Sequence, residues 1–197
     1  MSKKMKKIFL LFASAFFIIS AEAQKGSSQF ALFAGYKHFP EMWVGKGYNI
    51  GVEYKYYVHN RFFAVANFHA GVNNASKFVE YEFSGNMLGY RVGNSTHDYM
   101  IGLGLGGDLL QIGRHKIYIQ GTVGLGTSEM SKDGVSGAPG KEIIRTHVES
   151  ATRFAISASA GYDYRICSWL AVGVNYTGWQ IGYEYKNSAN AKVSLLF

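Results

Sequence analysis

The chain has 197 residues, of which 48% are apolar and 16% aromatic, with 24 glycines, two prolines and one cysteine. Charged residues make up 17%, against the roughly 25% of a soluble domain, and the formal net charge is +7. This composition excludes a disordered chain, a collagen repeat and a disulfide scaffold, and the length suits a single domain. After the first two dozen residues no stretch approaches the ~20 apolar residues of a spanning helix, a test that a closed β-barrel evades.

In chain order, the first element reads as an export signal. Lys3, Lys4, Lys6 and Lys7 form a basic segment, Ile8 to Ile19 an apolar run, and Ala21-Glu22-Ala23 a small-x-small cleavage site. The run is too short to span a bilayer, and polar Gln24-Lys25-Gly26-Ser27-Ser28 follow it. The expected division is therefore a signal peptide over 1–23 and one domain over 24–197. Cleavage removes four lysines and Glu22, lowering the net charge by three. The exported chain keeps Cys167 alone, which cannot form an intramolecular disulfide.

The remainder alternates in steps of two, the signature of strands with unlike faces. From Tyr48, the set Tyr48, Ile50, Val52, Tyr54 and Tyr56 opposes Asn49, Gly51, Glu53 and Lys55. Tyr99, Ile101, Leu103, Leu105 and Leu109 oppose Met100, Gly102, Gly104, Gly106 and Asp108. The pattern recurs from Ile117, Phe154 and Leu170, more weakly from Phe30 and Phe62, and last in Ala189, Ala191, Val193, Leu195 and Phe197. Eight such segments have the length of transmembrane strands. Connections near 57–61, 110–116 and 165–169 are short, whereas 38–47, 73–98, 126–153 and 177–188 read as long loops. An even count with short turns at one rim and long loops at the other is the pattern of an outer-membrane barrel.

A soluble barrel with the greasy face inside is the rival, and volume decides between them. An eight-stranded barrel has room inside for ordinary side chains or one small ligand, not for this many Tyr, Phe, Leu and Ile. The opposite face, rich in Gly, Ala and Ser, fits. Aromatics such as Tyr54, Tyr56 and Phe62 at the short-turn end, and Tyr36, Tyr48 and Tyr99 at the other, suit two interfacial girdles.

With its signal peptide, eight alternating strands, loop asymmetry and terminal Lys192-Val193-Ser194-Leu195-Leu196-Phe197, the chain resembles the small outer-membrane barrels of the OmpA/OmpX type. Among these it most resembles the β-barrel-domain proteins of Bacteroidetes. The resemblance implies an all-β, eight-stranded antiparallel transmembrane barrel in the bacterial outer membrane, surrounded by its lipid. It also implies that Val193, Leu195 and Phe197 are read by the barrel-assembly machinery. No peptidoglycan-binding domain follows the barrel, so the tethering role of full-length OmpA proteins does not carry over.

Candidate chemistry is sparse. Gly102-Leu103-Gly104-Leu105-Gly106-Gly107 matches a dinucleotide fingerprint in letters, but that motif opens a helix, whereas these glycines alternate within a strand. They read as room for larger lumen neighbours such as Tyr118 and Phe63. Glu53, Lys55, Asp108, Asp163 and Lys192 all fall on the lumen face in its periplasmic half. Confined ions persist only when paired and hydrogen-bonded, so a salt-bridged plug without a porin-like open channel is expected. His69 and Asn67 share that face, while histidines 38, 59, 97, 115 and 147 read as loop or turn residues. No metal-ligand spacing appears, and no cofactor is expected.

Two sets, His147 with Glu149 and Ser150, and His97 with Asp98 and Ser95, are the nearest analogues of a lipid A-modifying enzyme's residues. Neither reproduces a known motif. None of the four long loops carries a net positive charge, leaving no footprint for nucleic acid. The reading that remains is a non-enzymatic surface protein that meets a surface protein partner through its external loops. A lipid A-modifying enzyme or a narrow conduit for small hydrophobic solutes are the alternatives. The candidate contact is a hairpin signal around Ser84-Gly85-Asn86, with Phe78, Tyr81, Phe83, Leu88 and Tyr90 on its arms.

Overall fold

The computed structural model describes residues 26–39, 46–83, 85–136 and 143–197; the expected signal peptide lies outside them. Among these residues the chain forms β1 (Ser28–His38), β2 (Lys46–Tyr57), β3 (Phe62–Phe83), β4 (Asn86–Ile112), β5 (His115–Ser136), β6 (Ile143–Arg165), β7 (Leu170–Ile181) and β8 (Glu184–Leu196). Each strand pairs antiparallel with its neighbours in sequence, and β1 with β8 closes the ring. At the seam, Ser28 N–H donates to the Phe197 carbonyl at 3.0 Å and Phe197 N–H to that of Ser28 at 2.9 Å.

Alternation sorts the side chains as the volume of the lumen requires. Leu103 and Leu105 are 67% and 71% exposed on the outer face, in line with Leu32, Ile50, Val123 and Val193. Each large apolar side chain left in water forgoes about 1.5–3 kcal/mol, so a continuous belt of them is stable only in lipid. Inside, Phe63 packs with Tyr57, Val65 and Tyr118, and a second cluster joins Met100, Ala155, Trp179 and Ile181. A Cβ at Gly106 would collide with the Phe63 ring, so that lumen glycine does make room for Phe63. Tyr118 rests on Gly161 of β6 instead. A bulge between Asp108 and Leu110 turns the next alternation over, so that both Asp108 and Gln111 face the lumen.

The outer connections differ from the sequence expectation. β3 to β6 run 22, 27, 22 and 23 residues, so most of 73–98 and 126–153, expected as long loops, is strand. The segment 177–188 is also strand, closed by a turn at Gly182 and Tyr183 with Gly182 at φ +60°. Beyond lipid neither face need be apolar, so the period-two signal fades while backbone pairing continues. For the same reason His38, His97, His115 and His147 lie in strands, and of the histidines expected in loops or turns only His59 occupies a turn.

Candidate functional site

Among the described residues the lumen holds two ionic clusters separated by a neutral polar layer. In the inner cluster, β2 carries Glu53 and Lys55 two residues apart, on one face of a strand. Lys55 Nζ lies 3.2 Å from Glu53 Oε1 and 3.3 Å from the centre of the Tyr118 ring. From β8, Lys192 Nζ lies 2.8 Å from Asp163 Oδ1 on β6 and 3.7 Å from Glu53 Oε1, and donates to Tyr118 Oη at 2.6 Å. Gln29 Nε2 donates to Asp163 Oδ2 at 3.0 Å, and Gln120 donates to Glu53. Asp108 belongs to an adjoining pair. Its Oδ2 is 3.5 Å from Lys116 Nζ, and Tyr57 links the two by donating to Asp108 and accepting from Lys116. Four of the five residues singled out in the sequence thus meet directly, and Asp108 sits beside them with Lys116.

Above this cluster, Asn67 donates to Thr122 at 3.3 Å, Thr122 and Ser157 hydroxyls are 2.7 Å apart, and Asn190 bridges Asn49 and Asn175. His69 lies between Phe33 and Trp179, with ring centres 5.0 and 5.6 Å away.

The outer cluster was not singled out in the sequence. Asp98 of β4 accepts hydrogen bonds from both Lys37 of β1 and Lys186 of β8, and Ser128 lies 3.0 Å from its Oδ1. Lys186 also reaches Glu184 Oε2 at 2.8 Å. Lys37 and Lys186 are completely buried. Their signal was positional: Lys37 and Lys186 each alternate with an outward tyrosine, Tyr36 and Tyr185.

The two enzyme-like sets do not assemble. Asp98 is committed to the lumen lysines, while alternation turns Ser95 and His97 to the other face of β4. His147 Nε2 lies 3.3 Å from Glu149 Oε1, but both side chains are mostly solvent-exposed. Among the described residues no group of three His, Cys, Asp or Glu side chains could hold a metal ion. Val193 and Leu195 face outward on β8, and Phe197, just past its end, is exposed. The hairpin residues lie on the β3–β4 extension, where Tyr81 pairs with Leu88 and Phe83 with Asn86 across a turn with Gly85 at φ +81°. Phe78 is exposed and Tyr90 half-buried, and the side chains of Tyr81, Phe83 and Leu88 lie outside those described.

No family model matches the chain, and no curated protein matches it in sequence. Solved structures do match. The attachment invasion locus protein Ail of Yersinia pestis, in complex with the heparin analogue sucrose octasulfate, aligns with a TM-score of 0.56 at 11% identity, covering 88% of this chain and 99% of Ail. Neisserial surface protein A aligns at 0.56 and 15% identity, covering 87% of this chain and 97% of its own. The outer membrane protease OmpT of Escherichia coli aligns at 0.51 and 9%, covering 91% and 99%. The fold is that of the small outer-membrane β-barrels.

Proposed function

We propose that the protein is an integral outer-membrane barrel, sealed along its lumen and without enzymatic activity, that meets a surface partner through strands extended beyond the membrane. The observation that carries this reading is the length of β3 and β4. Their mutual pairing continues from Asn73 to Phe83, past the last residue of β3 that pairs with β2. Beyond that point the β3–β4 ribbon offers backbone groups to a partner strand, a mode in which main-chain hydrogen bonds supply affinity. Ail, of the same fold, was solved with a sulfated sugar bound, which supports ligand capture by a barrel of this size. Residues 1–23 act as the export signal, and Val193, Leu195 and Phe197 as the assembly signal. Inside, Glu53, Lys55, Asp108, Asp163 and Lys192 close the periplasmic half of the pore, since paired ions in a narrow lumen leave no continuous water path.

The test replaces residues 77–92 by a short turn. The variant should keep the heat-modifiable gel mobility of a folded barrel, while cells displaying it lose the ability to capture surface proteins from neighbouring cells. Unchanged capture, together with an altered lipid A mass spectrum on expression, would sink this reading in favour of a lipid A-modifying enzyme.

A further inference from the structure

The segment 126–153 sums to zero charge, yet its two faces do not. Beyond the membrane β5 and β6 stay paired without a break from Thr127 and Thr152 to Ser136 and Ile143, so alternation assigns each residue to a face. Ser128, buried beside Asp98, marks the lumen-side face on β5, and fully buried Ala155 marks it on β6. Lys132 therefore lies on the lumen-side face, as do Arg145, His147, Glu149 and Arg153. Glu129 and Asp133 lie on the outward face, where Asp133 accepts from the Thr146 hydroxyl at 2.7 Å and from Gly93 N–H at 3.1 Å. All three Lys and Arg residues described in this ribbon share one face, and two of its three carboxylates share the other.

The lumen-side face is open. Lys132, Arg145, His147, Glu149 and Arg153 are all exposed, and β7 pairs with β6 no higher than Ile181, opposite Ala155. Among the described residues Lys132, Arg145 and Arg153 form no ion pair, while His147 meets Glu149 at 3.3 Å. Lys132 stands directly across from His147. At the lower end, a Cβ on Gly182 would collide with the Arg153 side chain. Arg153 thus lies across the β7–β8 turn, whose next residue, Tyr183, is 94% exposed. At about 3.3 Å per residue, Arg145 and Arg153 stand roughly 26 Å apart with Glu149 midway.

This layout fits a ligand whose anionic groups are spaced apart by neutral, hydroxyl-bearing units. A guanidinium takes a carboxylate or sulfate through its planar fork. Between the two arginines, His147 and Glu149 suit sugar hydroxyls, and the face of an exposed tyrosine suits the C–H face of a sugar ring. Nucleic acid, charged at every residue, would bring a phosphate against Glu149. We propose that the lumen-side face of the β5–β6 ribbon binds an acidic polysaccharide, its anionic groups at Lys132, Arg145 and Arg153 and an intervening sugar at Glu149. The site is separate from the β3–β4 edge and does not depend on it.

Calorimetric titration of the full mature barrel, refolded in detergent, with hyaluronan oligosaccharides tests this, because hyaluronan carries a carboxylate on every second sugar. Wild-type protein should bind hyaluronan, ignore neutral dextran and bind single-stranded DNA more weakly. Arg145→Gln and Arg153→Gln should each lower hyaluronan affinity about tenfold, equivalent to ~1.4 kcal/mol, with heat-modifiable mobility unchanged. Tyr183→Ala should lower it as well. Glu149→Gln separates sugar recognition from bare charge, since it should weaken hyaluronan binding. Glu129→Gln, which removes the same charge from the outward face, should leave binding unchanged. No binding of hyaluronan, DNA binding as tight or tighter, undiminished binding by the arginine variants, or a gain in affinity from Glu149→Gln would overturn the assignment.

Discussion

The two ionic clusters of the lumen are both balanced, yet they are wired differently. The inner one spreads three lysines over three carboxylates, Lys55, Lys116 and Lys192 against Glu53, Asp108 and Asp163, so Glu53 has two cationic neighbours within 4 Å. The outer one converges on Asp98, which alone among the described carboxylates reaches both Lys37 and Lys186. In a medium that penalises every unpaired ion, balance is thus not robustness. The number of partners each charge keeps after one is lost decides the outcome.

The sharpest way to break this comparison is at the hub. Asp98→Ala strands Lys37 and leaves Lys186 with Glu184, and should destabilise the barrel by about 5 kcal/mol, the upper end for a broken buried pair. Urea unfolding in detergent micelles reads the loss. Planar-bilayer recordings of the same variant should show no stable open channel, because the proposed plug of inner charges is left intact. Next comes Lys192→Met, which removes a partner from both Asp163 and Glu53 while Lys55 still faces Glu53. The expected cost is smaller, about 3 kcal/mol, in the same titration. A larger loss for Lys192→Met than for Asp98→Ala would reverse the ranking and the reasoning behind it. The smallest effect belongs to Glu184→Gln at the partly exposed edge of the outer cluster. Asp98 still holds Lys186, so the unfolding free energy should change by less than about 1 kcal/mol.

What the sequence disclosed follows the same division of environments. Within lipid, one face must be apolar at every second residue, so the eight strands, their faces and five of the six inner charges could be read off directly, while Lys116, placed in a turn, was missed. Outside lipid that constraint lapses, and the continuations of β3 to β6 were read as loops. Lys37, Asp98 and Lys186 were hidden by the same boundary. Asp98 and Lys186 fell in segments read as loops and Lys37 at the edge of one, whereas their side chains are interior. The bulge near Leu109 hid Gln111 in another way, because one unpaired residue reverses inside and outside for everything after it on that strand.

The reciprocal bonds between Ser28 and Phe197 impose an order on how the molecule comes into being. Those two residues are among the most distant partners in the sequence, and β1 and β8 cannot recognise each other until every intervening hairpin exists. Neighbouring hairpins form at small cost in chain entropy, but closing this seam must gather nearly the whole chain at once. Until it closes, two strand edges face hydrocarbon with their amides unsatisfied, a state that lipid does not tolerate. Insertion and closure are therefore a single late event, and the rate at which the chain becomes a membrane protein is set by its two ends finding one another.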